Sequence, residues 1–287
     1  MPGGLEYITG EKRKSMKRKV LILDIDGTLT NSRKEITPET LEALLDIQRQ
    51  GHTVVIASGR PTHGVKWISD ILQLRKFGGY VLCFNGARIT NVKTGEIVHQ
   101  QIFPKECIAP LWEYAKAHDM GLVTYEGDTV IAGTRIDEHM RFEAGLNHME
   151  LKQVEDFASY VDFDVNKCLF TADVDVAPKL EKEMASKYEG ILSIYRSEPF
   201  FIEAMPPGVD KAASLQHLFA KLGVDRADTV ACGDGFNDIS MIRYAGVGVA
   251  MANAQEAVKE AADMVTKYTN DEDGLLEVIE KYFRYDK

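Results

Sequence analysis

Two aspartates two residues apart close an unbroken apolar run in this 287-residue chain: Val20-Leu21-Ile22-Leu23-Asp24-Ile25-Asp26-Gly27-Thr28. Four apolar residues in succession read as a strand buried on both faces of a parallel sheet, and Gly27 is expected to end it. Alternation of strand side chains puts Asp24 and Asp26 on one side, about 7 Å apart along the backbone. Two carboxylates facing one space at the end of a buried strand repel each other and lose hydration. That is costly unless a cation sits between them. A lone aspartate there would pass as a helix cap or a turn residue; the pair fits that reading poorly.

Three more polar clusters have comparable placement. The apolar run Thr53–Ala57 ends in Ser58-Gly59-Arg60-Pro61, and Thr229–Cys232 leads into Gly233-Asp234-Gly235-Phe236-Asn237-Asp238. Lys211 opens a helical stripe continued by Leu215, Leu218 and Leu222. Open α/β sheets bind ligands at the carboxyl ends of their strands, so the fold class alone converges these clusters on one site. Asp24, Asp26, Asp234 and Asp238 are all oxygen donors, with no His or Cys among them, which suits a hard cation such as Mg²⁺. Lys211 and the Ser58 hydroxyl remain to meet an anion, and Gly27, Gly59, Gly233 and Gly235 let backbone N–H groups come close, as phosphate sites require. The combination reads as Mg²⁺-assisted phosphoryl transfer. Taken singly, each part has an ordinary alternative: Lys211 as a solvated helix residue, Ser58 as a helix cap, Gly233-Asp234-Gly235 as a plain turn, and Asn237 and Asp238 as caps of the next helix. Their joint order at successive strand ends is what sets them apart.

The elements that must position these residues follow from periodicity. Thr37-Pro38-Glu39 opens a helix with a Thr cap and Pro at the first position, and Gly51 closes it. Strand Thr53–Ala57, a helix over Val65–Leu74 and strand Tyr80–Phe84 complete a strand–helix alternation with short connections, the pattern of a doubly wound, Rossmann-like parallel α/β sheet. After Gly86 the texture changes. A hairpin over Ala87–Phe103 turns at Lys93-Thr94-Gly95. A helix over Lys105–Asp119, strands near Leu122–Tyr125 and Thr129–Ala132, a polar and partly helical stretch over 134–165, strand Lys167–Ala172, helix Lys179–Lys187 and strands Ile191–Arg196 and Phe200–Ala204 follow. The α/β pattern then resumes, with strands Thr229–Cys232 and Val247–Met251 and helices around Met241, over Ala254–Ala262 and over Asp273–Phe283. The expected organisation is a flexible extension over 1–15, a core over 16–86 and 204–287, and an inserted α+β domain over 87–203.

Composition narrows the function classes. With 44 acidic against 34 basic residues the formal net charge is −10, which disfavours nucleic acid as a partner, since phosphate backbones want a basic face. Hydrophobic residues make up 45% and charged residues 27%, ordinary for a soluble globular protein, and no apolar run approaches membrane-spanning length. The four cysteines, Cys83, Cys107, Cys168 and Cys232, form no C-x-x-C pair; a reducing cytoplasm fits them best. The basic cluster Lys12, Arg13, Lys14, Lys17, Arg18 and Lys19 is not followed by the uncharged apolar core of a signal peptide.

The chain resembles the haloacid dehalogenase superfamily, with all four of its motifs: Asp24-Ile-Asp26-Gly-Thr28, Ser58-Gly59-Arg60, Lys211 and Gly233-Asp234-Gly-Phe-Asn237-Asp238. Ser58-Gly59-Arg60-Pro61, Phe84-Asn85-Gly86-Ala87 and the long insert resemble the Cof-type branch, with its α+β (type IIB) cap. The resemblance spans roughly Lys17 to Phe283 and implies a phosphatase. It makes Asp24 the nucleophile, and Asp26 the acid that protonates the leaving oxygen and the base that then activates water. Mg²⁺ would be held by Asp24, the Asp26 backbone carbonyl and Asp234. Ser58, Gly59 and Lys211 would hold the phosphate, Arg60 and Asn237 would assist there or at the cap boundary, and Asp238 would orient its neighbours from behind. The dehalogenases themselves lack the second aspartate, so Asp26 argues against that chemistry. A sugar phosphomutase of the same superfamily and a non-catalytic phospho-ligand binding protein are the alternatives. The expected partner is a small phosphate ester, a sugar phosphate before nucleotides or pyridoxal phosphate, acted on by a monomer or weak homo-oligomer.

Overall fold

The computed structural model describes residues 18–283; the expected extension over 1–15 lies outside them. The chain runs β1 (Val20–Leu23), α1 (Pro38–Arg49), β2 (Thr53–Ala57), α2 (Lys66–Ile71), α3 (Leu74–Phe77), β3 (Tyr80–Cys83), β4 (Arg88–Asn91) and β5 (Ile97–Gln100). It continues through α4 (Ile108–Ala117), β6 (Gly121–Glu126), β7 (Thr129–Ala132), α5 (Glu138–Leu146), β8 (Glu150–Gln153), α6 (Phe157–Tyr160), β9 (Cys168–Thr171), α7 (Ala177–Lys187), β10 (Ser193–Glu198) and β11 (Phe201–Met205). It ends with α8 (Lys211–Leu222), β12 (Thr229–Gly233), α9 (Ile239–Tyr244), β13 (Val247–Ala250), α10 (Glu256–Ala261), β14 (Met264–Val265) and α11 (Gly274–Tyr282).

Among the described residues these strands form two sheets. The larger has the order β14-β13-β12-β1-β2-β3-β4-β5. Its members from β14 to β3 pair in parallel, and β4 and β5 are antiparallel additions at one edge. The chain leaves β1 towards β2 and β3 and later returns on its other side as β12 and β13, so the order reverses next to β1. Both faces of this sheet are covered, which is why its central strands read as solid apolar runs. Leu21, Leu23, Val54 and Ile56 face a cluster with α1 and α11, while their neighbours Val20, Ile22, Val55 and Ala57 face Leu215, Leu218 and Met241. The doubly wound α/β core with an inserted α+β layer expected from the sequence is the fold observed.

The second sheet, β10-β11-β9-β6-β7-β8, is antiparallel except for the β7–β8 pair. Phe170, Leu122 and Ile202 pack on α4, α6 and α7, whereas Val123, Val130 and Leu169 meet Met140 and Ala144 of α5. The sequence division at residue 87 grouped the 87–103 hairpin with this layer. Its hydrogen bonds put it elsewhere: β4 pairs with β3, Tyr80 opposite Asn91, so the hairpin extends the larger sheet. The expected single helix over 65–74 is interrupted, since Gln73 takes a left-handed φ of 53° between α2 and α3. The strand at Asp24 is also shorter than expected; β1 ends at Leu23, and Asp24 and Asp26 lie on the turn beyond it.

Phe157 anchors the second layer: it is fully buried, and a Cβ on Gly133 would run into its ring. Phe157→Ala should cost about 3–5 kcal/mol, from lost transfer energy plus the cavity left behind. Urea unfolding followed by tryptophan fluorescence, through Trp112 of α4, would measure it.

Candidate functional site

The carboxyl ends of β12, β1 and β2 lie side by side, and each delivers one polar group to Lys211. The ammonium donates to Asp24 Oδ1 at 2.7 Å, to the Ala57 carbonyl at 2.7 Å and to Asp238 Oδ1 at 2.6 Å. Lys211 is wholly buried at the first turn of α8, whose cap is the Asp210 carboxylate accepting from Ala213 N. Burial alone would pull the ammonium's pKa down; Asp238 and Asp24 outweigh it and raise it. The other oxygen of Asp238 accepts from the backbone N–H groups of Asp234 (3.0 Å) and Gly235 (2.9 Å), which fixes the turn after β12. Asp238 thus braces both Lys211 and the turn after β12. Lys211 was expected to hold phosphate, yet its three donors are all engaged here. To reach a phosphate oxygen it must exchange one of these bonds.

Asp24 is pinned by its own N–H to the Cys232 carbonyl at 3.1 Å. Its carboxyl pKa rises from 3.8 to about 8, through burial first and then the Asp238 charge, against the pull of Lys211. Asp234 rises to about 6, again from burial first, although Thr28 Oγ1 donates to its Oδ1 at 2.9 Å. Gly27 makes this approach possible: its φ is +83°, and a Cβ there would overlap the Asp234 carboxylate. Oxygens of Asp24, Asp234 and Asp238 lie within 4.8 Å of one another. With Asp238 already satisfied, Asp24 and Asp234 are the carboxylates free to hold a metal ion. An all-oxygen set whose two carboxyls both have raised pKa values for want of compensating charge fits a hard divalent cation.

Asp26 faces a different environment. Arg60 grips it bidentately, Nε to Oδ2 and Nη2 to Oδ1, both at 2.8 Å, and Lys34 adds a third contact at 2.8 Å. Burial pushes this carboxyl up, but Arg60 and Lys34 outweigh it, and its pKa lies below the ordinary value. The remaining arm of Arg60, Nη1, donates to the Leu146 carbonyl at the end of α5 at 3.0 Å, tying Asp26 to the second layer. Ser58, beside Gly59, accepts the Arg60 N–H at 3.1 Å and is almost fully buried. Asn237 is exposed and donates to Asn85 Oδ1 at 3.1 Å; Asn85 in turn donates to the Tyr195 hydroxyl at 3.0 Å.

All nine residues predicted for the site, Asp24, Asp26, Ser58, Gly59, Arg60, Lys211, Asp234, Asn237 and Asp238, line one cavity of about 710 Å³. Sequence reasoning named Thr28 and Asn85 in motifs without giving them a role, and missed Lys34 and the second-layer residues Glu143, Lys167, Tyr195 and Glu203. Lys167 and Glu203 form a buried ion pair at 3.3 Å, and Tyr195 donates to the other Glu203 oxygen at 3.3 Å. Their only sequence signal is a charge beside an apolar strand, Lys167 before β9 and Glu203 inside β11.

The chain belongs to the haloacid dehalogenase-like hydrolases, whose family profile matches residues 21–279. It is 42% identical to a haloacid dehalogenase-like hydrolase from Bacteroides thetaiotaomicron, whose crystal structure superposes with a TM-score of 0.90 over 93% of this chain and 100% of that one. The sugar phosphatase BT4131, of HAD subclass IIB, superposes with a TM-score of 0.78 at 27% identity, over 92% of this chain and 98% of that one. The 5-amino-6-(5-phospho-D-ribitylamino)uracil phosphatase YcsE of Bacillus subtilis is 30% identical over 271 residues, 93% of this chain and 97% of that one. The chain is therefore a phosphatase of the Cof-type branch with a type IIB cap.

The two raised carboxyls predict a pH-dependent metal effect. Their protons are bound in the folded chain and released on unfolding, so this contribution to stability is present below pH 4 and lost as pH rises through 6 to 8. In chelator, the melting temperature should fall across that window. Added Mg²⁺ should restore it, by more at pH 8 than at pH 5, because at pH 5 protons hold its ligands. Differential scanning fluorimetry at both pH values decides; equal stabilisation at both contradicts the assignment of Asp24 and Asp234.

Proposed function

We propose that the chain is a Mg²⁺-dependent hydrolase of small-molecule phosphate monoesters, with a sugar phosphate as natural substrate, acting through an aspartyl-phosphate on Asp24. One observation carries the reading most: Asp24 is held by one oxygen on buried Lys211 and shares a cavity with Asp26, Ser58 and Asp234. Asp24, the Asp26 backbone carbonyl and Asp234 would hold Mg²⁺, which when bound screens the repulsion between carboxylate and phosphate.

The residues divide the work. The second Asp24 oxygen attacks phosphorus as the bond to the leaving oxygen breaks, and Asp26 gives that oxygen its proton. Water then attacks the aspartyl-phosphate, the P–O bond to Asp24 breaks, and Asp26 takes the water's proton. The grip of Arg60 and Lys34 favours the ionised Asp26 needed in this second step; the anionic ester works against that grip and helps Asp26 to its proton for the first. Ser58 and the Gly59 N–H meet the phosphate oxygens. Glu143, Lys167, Tyr195 and Glu203 surround the leaving group, and these hydroxyl-binding groups favour a polyol over an apolar alcohol. This placement supports a division into a catalytic core and a cap that selects substrate.

A net charge of −10 speaks against nucleic acid as partner, and the proposed protein is a monomer or weak homo-oligomer. All four cysteines are unpaired and buried, which supports a reducing cytoplasm. Among the described residues no helix is long and apolar enough to cross a membrane.

Asp24→Asn should leave essentially no turnover of any ester. Asp26→Ala should split by leaving group. A sugar phosphate needs protonation and stalls at the first step. With 4-nitrophenyl phosphate the enzyme is phosphorylated, then hydrolyses about 10²–10⁴-fold more slowly than wild type, giving a burst of nitrophenolate. Rapid quench and mass spectrometry should find phosphate on Asp24. Label on another residue, or near-normal rates in Asp24→Asn, would end the proposal.

A further inference from the structure

Behind the reaction cavity lies a second cavity of about 570 Å³, and no residue lines both. One side is built from the larger sheet and the segment after β2, through Thr62, Phe84, Arg88 and Thr90; the other from the second layer, through Tyr125 and Phe163. The volume is that of a small-molecule site rather than a packing defect.

Three of its polar groups lack a good partner. Arg88, half-buried on β4, makes no side-chain hydrogen bond or ion pair among the described residues, and its Nε is enclosed without an acceptor. Thr90 Oγ1, two residues along and on the same face of the strand, is enclosed and equally unpartnered. Thr62 Oγ1 has only the Cys83 thiol beside it, a weak partner. Enclosed donors without acceptors are rare and costly, and a half-buried guanidinium in this position is a standing offer to an anion.

The charges agree. Lys66, Arg75 and Arg88 line the cavity against Glu126 and Asp164, a positive balance in a chain whose net charge is −10. Glu126 is already occupied, accepting from the Tyr160 hydroxyl at 2.8 Å. The rest of the wall is apolar and partly aromatic: Val65, Val81, Val92 and Phe163 join Phe84 and Tyr125, whose ring centroids are 5.6 Å apart. A second phosphate-rich ligand would find too few cations here. An anion with one charge and a flat apolar body matches both the half-buried, unpaired guanidinium of Arg88 and the rings.

We infer that this cavity is a binding site for a small aromatic monoanion, its charged group on Arg88 and Thr90 and its body against Phe84 and Tyr125. The site straddles the two layers, since Phe84 directly follows β3 and Arg88 lies on β4 of the larger sheet, while Tyr125 belongs to the second. It is also next to the reaction cavity: the Tyr125 hydroxyl donates at 2.7 Å to Glu143, which lines that cavity.

The test uses the full chain with Mg²⁺ and the fluorescent monoanion 1-anilinonaphthalene-8-sulfonate, titrated with and without saturating inorganic phosphate. Calorimetry fixes the stoichiometry. One saturable site is expected, with an affinity that phosphate leaves unchanged. Arg88→Gln should weaken it about tenfold or more, the worth of one charge-assisted hydrogen bond, while Arg196→Gln, in the reaction cavity, should not. If Arg88→Gln lowers the melting temperature, Thr90→Val, which removes only a hydroxyl, should still weaken binding by several-fold. The inference is overturned if no saturable site appears, if phosphate displaces the probe, or if folded Arg88→Gln or Thr90→Val binds as wild type does.

Discussion

A single buried ammonium holds the reacting end of this protein together. Lys211 has no exposed surface, and burying a charge is costly unless it is paired and hydrogen-bonded. Here it has both kinds of partner, and they come from three neighbouring strand ends: Asp24 after β1, the Ala57 carbonyl of β2 and Asp238 in the turn after β12. A cation in the first turn of α8 opposes the helix dipole. The two carboxylates must outweigh that cost, which couples the placement of α8 to the placement of the turns. Without the ammonium, Asp24 and Asp238 would face each other as like charges in a dry site. Without Asp238, the turn after β12 would lose the acceptor for two of its N–H groups. The position of the Asp24 carboxylate is therefore a property of the whole strand-end row.

The parts of the fold that could be read from sequence are those whose environment is uniform. Strands β1, β2, β3 and β12 are buried on both faces, and an unbroken apolar run has few other uses. Where burial is one-sided or absent, the signal goes with it. Strand β8, Glu150–Gln153, is a polar edge with mostly exposed side chains, and β14 is only two residues long. The hairpin of β4 and β5 was legible as a hairpin but not as part of the larger sheet, because its partner β3 is set by tertiary pairing, which no local pattern encodes. The break at Gln73 escaped for a related reason: a glutamine with left-handed φ carries no turn signature, and surrounding packing imposes it.

In the site, residue types and positions were legible and their partners were not. Motif spacing names Asp24, Asp26, Ser58, Lys211 and Asp234, since each ends a strand or starts a helix. Spacing does not reveal that Arg60 turns to Asp26, or that Lys34, in a loop, completes that contact. Nor does it reveal that a backbone carbonyl, that of Leu146, draws Arg60 towards the second layer. Backbone acceptors have no residue type and leave no trace in sequence.

Those unreadable partners are what separate the two aspartates of the first motif. Asp24 and Asp26 lie two residues apart, yet their carboxyls move in opposite directions. Burial and the charge of Asp238 push Asp24 up to about 8; Arg60 and Lys34 pull Asp26 below its ordinary value against its own burial. A pair of titratable groups driven apart by their surroundings is the physical signature of divided roles. The direction for Asp24 also says what the bare protein lacks. The group proposed to attack as an anion is the one whose pKa burial raises, and Lys211 does not offset that rise. A further positive charge beside Asp24 and Asp234 would oppose that rise, and oxygen is the donor type their carboxylates offer. The same charge would leave Asp26 comparatively untouched, because its carboxylate is already compensated from the Arg60 side. One environment thus lacks compensating charge while the other is complete, and this asymmetry suits the proposed division of two identical side chains into nucleophile and proton carrier.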